Sequence, residues 1–150
     1  MEQSLEYLIK QLPYGDGFLF ADEILAIDSE QISGEFHFHK GLNFYESHFQ
    51  DHPVTPGVIL IECCAQIGLA CFGIYLSTMA HEAQKTETNQ AFALVASDME
   101  FFSPVYPGTK VRVSAQKEYF RFGKLKVKVK MENEKGELIC KGTLAGMRGI

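Results

Sequence analysis

The chain has 150 residues, with 14 Lys and Arg against 19 Asp and Glu, a formal net charge of −5. That length predicts one domain, 1–150, and a chain of this size buries about 68–70% of its unfolded surface, enough for a core without staples. With 46% hydrophobic and 22% charged residues it is ordinary globular material. The acidic balance argues against nucleic acid as the main partner, because neutralising phosphates takes clustered Lys and Arg. Any pocket must then lie within one layer of structure or between copies of the chain.

The first residues, MEQSLEYLIKQLP, contain acids and no apolar run of signal length, which predicts a cytoplasmic protein. Residues 2–11 form a short amphipathic helix with Leu5, Leu8 and Ile9 on one face, stopped before Pro13. Phe18 to Ile27 is apolar and β-prone, and Ile32 to His39 alternates as a strand with one buried face. Residues 40–53 mix Gly, Asn, Ser, Asp and Pro and read as loop.

Val54 to Leu76 is the most apolar stretch. Its length suits a membrane span, but Glu62 and Gln66 sit near its middle, where a carboxylate costs about 2.5–3.5 kcal/mol on insertion scales. Thr55 as N-cap and Pro56 at the first helical position instead predict a buried central helix of a soluble fold. Residues 77–90 read as the helix end and a polar loop that holds His81. Strands follow at Phe92 to Ala96, Glu100 to Phe102, Lys110 to Phe122, Lys124 to Glu132 and Glu137 to Met147. Turns at Pro107-Gly108, Phe122-Gly123 and Lys135-Gly136 make the pairing antiparallel. The predicted class is α+β: a mostly antiparallel sheet of five or six strands wrapped around one long helix.

Chemistry concentrates in Asn43 to Gln66. His48 precedes two prolines, and a helix then opens at Pro56-Gly57-Val58. Glu62 follows inside that helix, with Gln66 one turn further on the same face. Glycine at a helix start lets a ligand approach free N–H groups at the positive dipole end. A carboxyl among Ile, Leu, Cys and Ala has its pKa raised by desolvation, which suits a proton donor, and a histidine with a free ring nitrogen suits a general base. Spacing alone also allows a capping histidine and a glutamate at the rim of a buried face.

The run His48-Phe49-x-x-x-Pro53-Val54-x-Pro56-Gly57-Val58, followed by Glu62, Ala65 and Gln66, resembles the signature of the hot-dog-fold β-hydroxyacyl-(acyl carrier protein) dehydratases. Leu12-Pro13 with Phe18-Leu19-Phe20-x-Asp22 upstream, and Phe102-x-Pro104-Val105-x-Pro107-Gly108 downstream, are similar to that family's flanking motifs and in the same order. The resemblance implies a hydro-lyase of fatty acid or related polyene biosynthesis. It converts a (3R)-3-hydroxyacyl thioester on the phosphopantetheine arm of an acyl carrier protein to the trans-2-enoyl thioester. His48 would take the C2 proton, Glu62 would protonate the leaving C3 hydroxyl, and the Gly57 N–H would hold the thioester oxygen. Gln66 is a candidate to orient Glu62, with Pro56 and Val58 beside the substrate. The family's pocket takes its His from one subunit and its Glu from the other, which implies a homodimer or a dimer-based oligomer. No metal or other cofactor is expected.

Several positions depart from the family pattern. Gln50 and Asp51 stand where Pro and Gly are usual, Thr55 replaces Met, and Tyr14-Gly15-Asp16-Gly17 replaces His-Arg-Tyr-Pro. Asp98 to Ser103 is acidic or neutral where basic residues help dock the carrier. Lys124, Lys126, Lys128 and Lys130 alternate with Leu125, Val127 and Val129, giving a strand with a lysine-lined solvent face that, with Arg121, is also a candidate carrier dock. Cys63, Cys64, Cys71 and Cys140 lack metal-type spacing and read as buried thiols; His37 and His39 read as solvent-face residues. Phe101, Phe102, Tyr119 and Phe120 read as core or tunnel wall, and Phe72, Tyr75 and Leu76 as contributors to the tunnel end. A thioesterase on the same fold and a silent acyl-binding subunit of a hetero-oligomer are the competing readings.

Overall fold

Alternation in the second half of the chain becomes a sheet. In the computed structural model, which describes residues 4–80 and 91–149, Thr109–Arg121 (β4), Lys124–Asn133 (β5) and Leu138–Arg148 (β6) form a continuous antiparallel meander. Val111, Val113, Ala115, Leu125, Val127, Val129 and Met131 point inward and are buried, while Lys128 and Lys130 point out. Glu23–Ile27 (β1), Gln31–Phe38 (β2) and Phe92–Phe101 (β3) complete six strands in the order β1-β2-β4-β5-β6-β3. β1 and β3 are therefore the edges. The segment read as two strands, Phe92 to Ala96 and Glu100 to Phe102, is one strand, because a bulge between Leu94 and Ala96 keeps it in register with β6.

The apolar run forms the central helix in three continuous stretches: α-helical Gly57–Ala65 (α2), π-helical Gln66–Cys71, and α-helical Phe72–Ala80 (α3), following a short N-terminal helix Glu6–Lys10 (α1). By length and composition Gly57–Met79 could cross a membrane, yet 72% of its apolar window is buried inside the fold. The sheet wraps it closely. A Cβ added at Gly68 would meet the Ala115 Cβ at 3.1 Å, so the helix rides on the sheet at a distance only glycine allows without a shift. All four cysteines are free and buried, three of them on this helix. The predicted loop at residues 81–90, with His81, lies outside the described residues.

Two expectations about this region are corrected. Thr55 is not the helix N-cap: Pro56 takes that place without a side-chain cap, and the buried Thr55 hydroxyl bonds the Tyr45 hydroxyl at 2.5 Å. The Thr55 N–H is spent on the Val105 carbonyl at 2.8 Å, so this residue ties the helix entry to the segment after β3. Of the core-or-tunnel-wall reading of Phe101 and Phe102, the core half does not hold: they are 47% and 51% exposed, Phe101 as the last residue of edge strand β3 and Phe102 just after it. Phe120 does pack against the core, and Tyr119 lies under the Arg121 guanidinium at 4.4 Å.

Candidate active site

The loop that carries His48 is short and closed on itself. The Val54 N–H donates to the His48 carbonyl at 2.9 Å, and the His48 Nδ1 lies 2.9 Å from the Val54 carbonyl. A carbonyl can only accept, so Nδ1 carries the hydrogen and Nε2 keeps its lone pair. The His48 ring stacks on Phe49 with centroids 4.4 Å apart. Together these contacts fix both the tautomer and the orientation of the imidazole.

Glu62 is half-buried, and burial raises its carboxyl above the ordinary value of 4.5, against a smaller lowering by its bond from Gln66. Gln66 is fully buried at the first residue of the π-helical stretch. Its Oε1 accepts from the Phe20 N–H at 2.7 Å, and its Nε2 donates to the Phe18 carbonyl at 2.9 Å and to Glu62 Oε2 at 2.9 Å. The Phe20 N–H can only donate, which settles the amide orientation. Glu62 Oε2 must then accept, and a protonated Glu62 carries its proton on Oε1. Residue-type spacing placed Gln66 beside Glu62 but gave no sign of the backbone anchor at Phe18 and Phe20, 46 to 48 residues away in the chain. It also missed Tyr14, which packs on Phe18 at 6.1 Å and whose phenol is pushed up to about 12 by burial and then by Glu62 and Cys71.

Gly57 opens the helix, so its amide and that of Val58 have no intrahelical acceptor. The Pro56 carbonyl accepts from Ile59 at 2.9 Å and Leu60 at 3.2 Å, which locks the first turn. Val58 is 72% exposed, and the space where a Gly57 Cβ would sit faces the Phe101 ring at 3.4 Å. Further along, Phe72 and Leu76 are buried in the core and Tyr75 is half-buried against it. Among the described residues no hydrogen bond or ion pair joins His48 to Glu62.

An antiparallel sheet wrapped round a central helix is the hot-dog fold, and solved structures align with it across nearly the whole chain. The dehydratase heterocomplex ApeI:P from Xenorhabdus doucetiae matches with TM-score 0.72 at 13% identity, covering 100% of this chain and 93% of the other. A thioesterase from Haemophilus influenzae matches with TM-score 0.68 at 16% identity, covering 99% and 92%. Sequence is more discriminating than these shapes. The FabA-like domain model matches residues 12–143, and the chain belongs to that family. Among curated relatives, the 3-hydroxyacyl-(acyl-carrier-protein) dehydratase FabZ of Roseiflexus sp. (strain RS-1) is 27% identical over 142 residues, 94% of this chain and 93% of the relative. The FabZ of Geobacter metallireducens is 32% identical over 109 residues, 71% of this chain and 67% of the relative.

Proposed function

We propose that this chain is a 3-hydroxyacyl-(acyl carrier protein) dehydratase, a hydro-lyase of fatty acid or related polyene biosynthesis, acting as one domain over residues 1–150. The observation that carries it is the complementary preparation of His48 and Glu62 within a FabA-like chain: Nε2 is left as a base, and a desolvated carboxyl is left as an acid. The substrate is a (3R)-3-hydroxyacyl thioester on an acyl carrier protein. His48 Nε2 takes a proton from C2, the electrons of that bond form the C2=C3 double bond, and the C3–O bond breaks. Glu62 Oε1 gives its proton to the departing hydroxyl, which leaves as water.

Charge that builds on the thioester oxygen meets the Gly57 N–H at the helix start, a donor of a kind worth about 2.7–4 kcal/mol. Pro56 and Val58 flank that position, and Gln66 holds Glu62. No cofactor takes part in this chemistry. The pocket is completed by a second copy, the His48 of one protomer facing the Glu62 of the other, in a cytoplasmic homodimer or an oligomer built from it.

His48→Ala and Glu62→Gln are each expected to lower water loss by about 10²–10⁴-fold while leaving the circular dichroism spectrum unchanged. The readout is enoyl absorbance from a carrier-bound 3-hydroxyacyl substrate, and wild-type rates in either variant would sink the assignment. Release of free thiol in place of enoyl absorbance would favour the thioesterase reading. Activity only after addition of a second hot-dog chain would favour the silent-subunit reading.

A further inference from the structure

One concavity lies away from His48 and Glu62. It is a groove of about 850 Å³ on the outer face of the sheet, on the opposite side from the central helix. Arg112, Lys128, Lys130 and Lys141 line it, against the carboxylates of Asp28 and Glu100. The lining is thus net positive on a chain whose formal charge is −5.

The register within it breaks a local rule. Lys130 on β5 stands directly opposite Lys141 on β6, and like charges in facing positions destabilise a strand pair. Neither is in an ion pair among the described residues, nor is Arg112, although Glu35 and Glu132 flank Arg112 in register and Glu100 faces Lys141. Glu35 is engaged instead by Lys110 at 2.9 Å, and Glu118 draws Lys126 and Lys128 at 3.7 and 3.9 Å. Arg112, Lys130 and Lys141 therefore line the groove without an ion pair among the described residues. Cations that line a concavity focus a field that attracts an anionic surface.

One end of the groove leads to the helix start. Glu100 lines the groove, while the next residue, Phe101, turns its ring to the other side of the sheet and over Gly57. The Lys141 Nζ sits 5.7 Å above the half-exposed ring of Phe102. A macromolecule held on Lys130 and Lys141 could thus pass a flexible arm around the end of β3 to the Gly57 amide.

We infer that this groove docks the acidic face of the protein that carries the thioester, with Lys130, Lys141 and Arg112 as its cationic anchors; this rests on the dehydratase reading above. The lysine stripe of β5 contributes only in part: Lys126 and Lys128 are shared with Glu118, and Lys141 from β6 supplies the second free charge. Charge complementarity is the argument for an acidic protein. A second copy of the chain would bring a net negative body too, but its own outer face repeats the same cations.

The test compares two substrates in Lys130→Glu and Lys141→Glu variants, each of which also converts the like-charge pair to an opposite-charge one. KM for a 3-hydroxyoctanoyl acyl carrier protein is expected to rise at least about tenfold, and its salt dependence to flatten. Turnover of the N-acetylcysteamine thioester of the same acid is expected to stay at the wild-type value. An unchanged KM for the carrier-bound substrate overturns the dock, as does an equal loss on both substrates. A changed oligomeric state with carrier KM intact assigns the face to a second copy and overturns it as well. If wild-type protein dehydrates neither substrate, the functional reading fails, and calorimetric binding of the carrier to wild type and variants then decides the dock alone.

Discussion

Gln66 has one amide group and three partners, and no rotamer of another residue type satisfies all of them. Leucine in its place leaves the buried Phe20 N–H without an acceptor, a loss of about 1–3 kcal/mol that a urea melt of Gln66→Leu is expected to register. The same change removes the bond that lowers the Glu62 pKa, so the alkaline limb of the pH–rate profile is expected to move upward as kcat falls. Glu62 itself carries a cost. Its folded pKa lies above 4.5, so the folded chain binds this proton more tightly than the unfolded chain, and stability falls as pH rises through that window. Glu62→Gln is therefore expected to melt higher than wild type at pH values above the window, with the difference vanishing below 4.5. Scanning calorimetry across pH checks it; an advantage that grows toward acid would contradict the sign.

Edge strand β3 packs against a missing side chain on β6. A Cβ at Gly142 would land on the backbone carbonyl of Asp98 across the β3–β6 ladder, and backbone cannot move aside as a side-chain tip can. Gly142→Ala is expected to push β3 off β6, costing about 1–3 kcal/mol as overpacking does, with faster amide exchange confined to residues 92–101. Because Phe101 covers Gly57, the same variant is expected to lower activity without touching His48 or Glu62. Uniform loss of protection across the sheet would show instead that β3 is not a separable unit. The central helix illustrates the limit of pattern at this scale. Its apolar length announced a buried helix, but the π-helical stretch at Gln66–Cys71 has no signature in residue type, and its first residue, Gln66, is tied to the segment around Phe18 and Phe20.

At the scale of the whole molecule, His48 and Glu62 share no hydrogen bond or ion pair among the described residues of one chain. If each pocket draws His48 from one copy and Glu62 from the other, a mixed dimer of His48→Ala with Glu62→Gln contains one intact pocket. Random reassortment of the two inactive variants is then expected to recover about a quarter of wild-type activity, since half the dimers are mixed and each has one of two sites. Co-refolding followed by the enoyl assay measures it. No recovery beyond the sum of the single variants would place both groups in a pocket within one chain.

Much of this was legible before any coordinates. Period-two alternation and turn residues at Phe122-Gly123 and Lys135-Gly136 determined the meander, because strand faces and hairpin turns are local properties, whereas the turn at Pro107-Gly108 makes no hairpin, since β3 pairs with β6 and not with β4. The order of the His48, Gly57 and Glu62 motifs pointed to the family for the same reason: each lies within one loop or one helix turn. The tertiary structure decided what depends on residues distant in sequence. It moved Thr55 from helix cap to a tether on Tyr45 and Val105, exposed Phe101 and Phe102 at a sheet edge, anchored Gln66 to Phe18 and Phe20, and set Lys130 against Lys141. The opening net charge of −5 is an average over the chain; only strand register could gather unpaired cations into one groove, because register places side chains from separate strands side by side.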